Sequence, residues 1–120
     1  MKKAFISGIS GQDGAWLAEL LLKKGYKVFG GVRDFNSDLW RLKYLNIISE
    51  VELILFDLIN PDSIKKVIKD LQVDEFYNLA AQSSVAESFK SPILTTQNVG
   101  FGLLYILEGI KELSAHTKLF

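Results

Sequence analysis

The chain has 120 residues, 48% of them apolar, no cysteine, and 14 acidic against 14 basic side chains. That balance excludes a disordered chain, a disulfide scaffold, a cysteine-based metal site and a nucleic-acid binder driven by basic excess. No apolar run approaches the roughly 18 residues of a membrane span. The apolar stretch after Lys2 and Lys3 ends at Ile6, short of a signal-peptide core of about 7–15 residues, so a soluble, cytoplasmic chain is expected.

Short apolar runs alternate with helical patterns. Ala4–Ser7, Lys27–Val32, Val51–Phe56, Glu75–Asn78 and Thr117–Phe120 read as strands. They lack polar/apolar alternation, as expected of a parallel sheet covered on both faces. Between the first two, Asp13 to Lys24 reads as a helix with Trp16, Leu17, Leu20 and Leu21 as its apolar stripe. Lys23 and Lys24 suit its last turn and Gly25 stops it. A weaker helical pattern spans Ser37–Leu45. A third begins at Asn60-Pro61-Asp62, a cap, a first-turn proline and an early acid, and runs to Leu71. The longest starts at Ser91-Pro92 and repeats Val99, Leu103, Ile106, Leu107, Ile110 and Leu113 at helical spacing. The order β-α-β-α-β-α-β-α-β implies right-handed crossovers in an α/β, Rossmann-like, doubly wound parallel sheet of five strands.

Gly8, Gly11 and Gly14 join the first strand to the first helix in the spacing G-x-x-G-x-x-G. An anion needs free backbone N–H groups and room to approach them. Glycine gives both, and the helix that follows aims its positive end at the same place. In a first βαβ unit the natural guest is the pyrophosphate of a nicotinamide dinucleotide. Asp13 opposes an anion by charge and is expected to cap the helix instead.

Two later positions extend the reading. Arg33 stands 19 residues after Gly14, where an NAD-preferring fold has an acid; a guanidinium there pairs with a 2′-phosphate and favours NADP over NAD. Asp34 beside it could bond a ribose hydroxyl or neutralise Arg33, and a solvated surface charge is the other reading of Arg33. Asp57 follows the third strand but is not needed as a cap, because Asn60 starts the next helix. It is free to accept from an adenine amino group, with Leu58 packing on the ring; an ordinary turn acid is the other reading. After the fourth strand, Ala80 and Ala81 allow close backbone approach. Gln82, Ser83 and Ser84 offer uncharged hydrogen bonds suited to a ribose or sugar, or simply form a polar loop.

Taken together, these stretches resemble the extended short-chain dehydrogenase/reductase family and, within it, the GDP-mannose 4,6-dehydratase family. Gly8-Ile9-Ser10-Gly11-Gln12-Asp13-Gly14 matches that family's glycine loop, with Gln12-Asp13 its distinguishing pair. Leu17 to Tyr26, Val32-Arg33, Trp40-Arg41-Leu42, Asp57-Leu58 and Tyr77-Asn78-Leu79-Ala80-Ala81-Gln82-Ser83 continue the match. Asp34 departs from it, standing where a second Arg or a Ser is common, and so does Ser84, where His or Phe is common. The resemblance implies a cofactor site at Gly8, Gly11, Gln12, Asp13, Gly14, Arg33, Asp57, Leu58, Leu79, Ala80, Ala81, Gln82 and Ser83, and sugar contacts at Ser83 and Ser84. It also implies GDP-mannose as substrate and homo-oligomers paired through the helix at 92–113. The implied reaction removes hydride from C4 of the sugar, eliminates water across C5 and C6, and returns hydride to C6.

That chemistry needs a Tyr-x-x-x-Lys pair, since a base must take the hydroxyl proton and a lysine must lower the tyrosine's pKa. The residues four after Tyr26, Tyr44, Tyr77 and Tyr105 are Gly30, Ile48, Ala81 and Gly109. In the family the pair lies beyond the strand at Thr117–Phe120. Residues 1–120 therefore read as the N-terminal part of an NADP-binding Rossmann domain without its catalytic and substrate parts, and no catalytic residue is assigned. A related nucleotide-sugar epimerase or reductase, or a stand-alone NADP-binding module, are the alternatives. His116, the single histidine, reads as a surface residue, and no metal site is expected. Gly100, Gly102 and Gly109 inside the last helix each cost about 1 kcal/mol against Ala, to be offset by close packing on the sheet or by a contact between subunits. Asn98 resembles a family residue near the active site.

Overall fold

Ala4, Phe5, Ile6 and Ser7 have no exposed surface, because the strand they form is covered on both sides. The computed structural model describes residues 1–80 and 92–120, without the side chains of 92 and 94–99. The strands are β1 (Lys3–Ser7), β2 (Lys27–Val32), β3 (Val51–Leu55), β4 (Glu75–Asn78) and β5 (Lys118–Leu119). They form one sheet in the order β3-β2-β1-β4-β5, and every pairing is parallel. Backbone bonds from Lys118 and Phe120 extend the β5 ladder to either side of its two assigned residues.

Successive strand residues face opposite sides, and the core divides accordingly. Ala4, Ile6, Val28, Val32 and Val51 form one cluster with Ala15, Ala18 and Leu21 of α1 (Gln12–Lys23) and Leu42 of α2 (Trp40–Tyr44). Phe5, Phe29, Phe56 and Phe76 form the other. They pack with Ile64, Val67 and Ile68 of α3 (Pro61–Leu71) and Ile106 and Ile110 of α4 (Pro92–Leu113). The rings of Phe5, Phe56 and Phe76 meet at 4.8–5.9 Å between centroids, two tilted and one edge-on, the geometry aromatic quadrupoles favour. Helices thus lie on both faces of a parallel sheet, the doubly wound α/β arrangement.

The local signals act as expected at several ends. Gly25 takes a φ of +86° directly after α1, and the N–H of Tyr26 returns to Leu21 O. Asn60 caps α3, its side chain accepting from the N–H groups of Asp62 and Ser63, with Pro61 behind it.

Other expectations need correction. Coverage on both faces holds for β1 and β2 only; β3 and β4 are partly open to solvent. The inward face of α1 is Gly14, Ala15, Ala18 and Leu21, while Trp16 and Leu20 are exposed. Small residues let the helix sit close to the sheet, so the larger side chains rotate outward. In α4, Ile106 and Ile110 point inward but Leu103 and Leu107 are exposed. Its glycines meet α3 and the turn before it rather than the sheet. A Cβ at Gly102 would lie 2.9 Å from Leu58, and one at Gly109 2.7 Å from Ile68, whereas Gly100 faces open space. The helix expected at Ser37–Leu45 is only five residues long, because Asp34 and Asp38 hold the preceding segment in side-chain-bonded turns.

Candidate cofactor site

β1 ends at Ser7, whose hydroxyl is wholly buried. It donates to Asn78 Oδ1 at 2.9 Å and accepts from the Ala80 N–H at 2.9 Å. This pins the exit of β4 against the exit of β1. The chain then turns through Gly8 at a φ of +69°. A Cβ there would stand 2.9 Å from Leu79 O and 3.0 Å from the Ala80 N, so only glycine lets the two backbones pass this closely. The next residue, Ile9, is buried and packs on β2, where a Cβ at Gly30 would meet its side chain at 2.9 Å. Gly11 closes the loop with a bond from its N–H to Gly8 O at 3.1 Å and occupies the N-cap of α1. Gly14 completes the set, since its Cβ would lie 2.5 Å from Gly8 O and 2.9 Å from Ile9 Cα.

The expectation that Asp13 caps α1 is corrected. The N-cap is Gly11, which has no side chain to offer, and Asp13 sits exposed in the first turn. Among the described residues no side chain accepts from the first N–H groups of the helix. They are open donors at the positive end of a helix of 12 residues, beside a loop whose glycines leave its backbone uncovered. These features fit a pyrophosphate.

The other expected residues fall at the same carboxyl edge of the sheet. In the register Ser7 stands beside Gly31, so the glycine loop and Arg33 leave neighbouring strands together. Arg33 is exposed. Asp34 does not neutralise it; its Oδ1 accepts from the Asn36 N–H at 2.8 Å and shapes the turn. Asp57 is half-buried beyond β3, with Oδ1 taken by the Ile59 N–H at 3.1 Å and its own N–H donating to Ser63 Oγ. Leu58 is corrected: its side chain is buried against α4 at Gly102 and is not displayed for an adenine ring. Leu79 is exposed and Ala80 half-buried, both against Gly8. Ala81, Gln82, Ser83 and Ser84 lie outside the described residues, as does the side chain of Asn98.

Sequence reading missed Ser7, Gly30 and Arg41. Ser7 had one signal, a hydroxyl ending an otherwise apolar strand directly before the glycines. Gly30 had another, an adjacent glycine pair inside a strand, which marks a close approach. Arg41 had its place in the family match at Trp40-Arg41-Leu42 but no assigned role; its Nη1 donates to Ser10 O at 3.2 Å within the glycine loop. Among the described residues no group of three or more His, Cys, Asp or Glu is placed to hold a metal ion, and no helix is long and apolar enough to cross a membrane.

A parallel sheet wound in this order, with a glycine loop opening the first helix, defines a Rossmann-like nucleotide-binding fold. It is shared with solved enzymes. The Bordetella bronchiseptica enzyme WbmH in complex with NAD+ superposes with a TM-score of 0.74 at 28% identity, over 93% of this chain and 36% of that one. The Thermus thermophilus UDP-glucose 4-epimerase complex with NAD gives 0.81 at 21% identity, over 98% and 36%; at that identity the likeness concerns the fold. The family model of GDP-mannose 4,6 dehydratase matches residues 5–120, and the chain belongs to that family. A GDP-mannose 4,6-dehydratase of Yersinia enterocolitica is 41% identical over 119 residues, 92% of this chain and 32% of the relative. One of Vibrio cholerae is 41% identical over 125 residues, 98% and 33%. Arabidopsis thaliana GDP-mannose 4,6 dehydratase 2 is 40% identical over 120, 92% and 32%. The chain thus spans about a third of the length of these relatives, corresponding to their N-terminal, nucleotide-binding part.

Proposed function

We infer that this chain binds NADP as the cofactor-binding part of a nucleotide-sugar 4,6-dehydratase that converts GDP-mannose to GDP-4-keto-6-deoxymannose. The observation that supports this most is the loop itself. Gly8 is pressed on Leu79–Ala80, and α1 opens behind it with unoccupied donors. Gly8, Gly11 and Gly14, with the N–H groups of Gln12 and Asp13, take the pyrophosphate. Arg33 takes the adenosine 2′-phosphate, and the free carboxylate oxygen of Asp57 the adenine amino group. Leu79, Ala80, Ala81, Gln82 and Ser83 flank the nicotinamide half, and Ser83 and Ser84 meet the sugar. The chemistry a nicotinamide cofactor supplies there is reversible hydride transfer. The chain's own residues orient it: Ser7 fixes the two loops against each other, and the glycines admit backbone where side chains would block.

Pairing of two copies through α4 belongs to the same reading, because Phe101, Leu104 and Leu107 lie exposed along that helix. So does a cytoplasmic location, where the cofactor and sugar nucleotide are available.

Titrating the purified protein with NADPH and NADH, followed by tryptophan fluorescence, tests the cofactor assignment. Tighter binding of NADPH is expected, and equal or weaker binding counts against it. Incubating the intact protein with GDP-mannose and NADP+ tests the reaction. A 4-keto-6-deoxy product supports the reading; a C4 epimer as the only product moves the chain to the epimerase alternative.

A further inference from the structure

Asp57 stands just beyond β3, and its carboxylate is aimed by its own turn. Oδ1 accepts from the Ile59 N–H at 3.1 Å, the bond two residues on that Asp makes in a turn. The Asn60 N–H reaches Asp57 O at 3.0 Å, and the Asp57 N–H donates to Ser63 Oγ at 3.2 Å. The side chain is thereby fixed, and Oδ2 has no partner among the described residues. All three bonds run within the turn or to α3. They give the turn its shape, and the next side chain, Leu58, seats it in the molecule.

Leu58 is buried in the core cluster that holds Phe56, Ile64 and Ile106. It lies against α4 at Gly102. A Cβ at Gly102 would stand 2.9 Å from Leu58 Cδ2, 3.0 Å from its Cβ and 3.3 Å from its Cγ. The terminal methyl can rotate away from such a group, but Cβ moves only with its own backbone. One planar peptide joins that backbone to Asp57, with Cα atoms about 3.8 Å apart. A push from α4 on Leu58 is therefore felt at the Asp57 carboxylate. A glycine inside a helix costs about 1 kcal/mol against Ala; at position 102 it makes the seat that Leu58 fills.

We propose that Leu58 is a positioning residue for adenine recognition. Seated against Gly102, it holds the Asp57 turn where Oδ2 accepts from the adenine amino group. It touches no part of the cofactor, and its effect passes through Asp57. This role rests on the cofactor reading, in which Asp57 takes that amino group, and it ties the adenine end of the site to α4.

The test compares NADPH with its hypoxanthine analogue, in which a carbonyl replaces the adenine amino group. Both are titrated into the purified protein and its variants, and each variant is melted in parallel. The protein is expected to bind NADPH about 10- to 100-fold more tightly than the analogue, the worth of a hydrogen bond to a charged acceptor. D57A should abolish that preference. L58A and G102A should each reduce it several-fold, weakening NADPH and leaving the analogue unchanged. L58M, which conserves volume, should keep it, and so should G100A, since Gly100 faces open space. Equal weakening of both ligands by L58A means that Leu58 serves stability alone and overturns the proposal; so does an unchanged preference. If L58A does not fold, G102A and L58V decide by the same criterion. A preference lost in D57A but kept in L58A and G102A removes Leu58 alone. A protein without the preference, or a D57A variant that keeps it, removes the adenine contact of Asp57 and the role of Leu58 with it.

Discussion

A methyl group at position 8 would meet two obstacles at once. The φ of +69° is one that L side chains rarely adopt, and the Cβ would press on backbone atoms of Leu79 and Ala80 at 2.9–3.0 Å. Backbone cannot rotate away as a side chain can. Gly8→Ala is therefore expected to destabilise the fold by about 1–3 kcal/mol and to weaken NADPH binding. Thermal or urea denaturation checks the first and fluorescence titration the second; a variant as stable as the parent would count against a crowded loop. Much at this scale was legible from the residues themselves. Gly8, Gly25 and Asn60 act through their own backbone or their immediate neighbours, and local chemistry is what a sequence displays. Ser7 and Arg41 were not legible, because their partners lie 73 and 31 positions away. Asp13 was misjudged for a related reason. An acid in a first turn looks like a cap, but the loop delivers Gly11 to that position first.

Helix faces were the hardest elements to read. Hydrophobicity marked Trp16 and Leu20 in α1, yet burial selects Gly14, Ala15 and Ala18. A close-packed helix needs small residues toward the sheet, and a stripe of glycine and alanine leaves little trace in an apolar pattern. The ordering of strands and helices was far more legible, since it follows from the alternation of short apolar runs with longer amphipathic ones. Helix α4 lets the packing argument be tested within one element. Gly100 faces open space, whereas a Cβ at Gly102 would meet Cδ2 and Cβ of Leu58 at 2.9 and 3.0 Å. Gly100→Ala should gain about 0.5–1 kcal/mol from helix propensity alone. Gly102→Ala has the same propensity gain but must displace Leu58 from the core, and a net loss of about 1–2 kcal/mol is expected. Opposite signs in paired chemical denaturation curves are the result to look for. Equal stabilisation of both variants would mean that α4 and the Leu58 turn are not in close contact.

At the scale of the whole molecule, the open part of the sheet is tied by a polar cluster. Glu75 begins β4 and accepts from two phenols, Tyr26 through Oε1 at 3.0 Å and Tyr77 through Oε2 at 2.8 Å. Tyr26 precedes β2, so the first of these bonds spans the central strand β1. The Tyr77 ring in turn stacks on Phe120 beyond β5, with centroids 5.0 Å apart. The cluster works only while the phenols are protonated, since each donates its O–H to Glu75. Burial, then the hydrogen bond and charge of Glu75, push the Tyr77 phenol up to about 12, from an ordinary value of about 10. The Tyr26 phenol is raised by the same causes in the same order. A folded-state value above the unfolded one means that the fold holds the proton more tightly. The stabilisation is thus complete below about pH 10 and is lost as pH climbs from about 10 through about 12. Tyr77→Phe keeps the ring on Phe120 but has no proton to lose. Its denaturation midpoint should fall less steeply across that window than the parent's, and Tyr26→Phe combined with it less steeply still. Taking the difference between variants removes the background from lysines titrating at similar pH. Parallel slopes would show that the phenols do not tie the strands, and the sheet's outer strands would then depend on apolar packing alone.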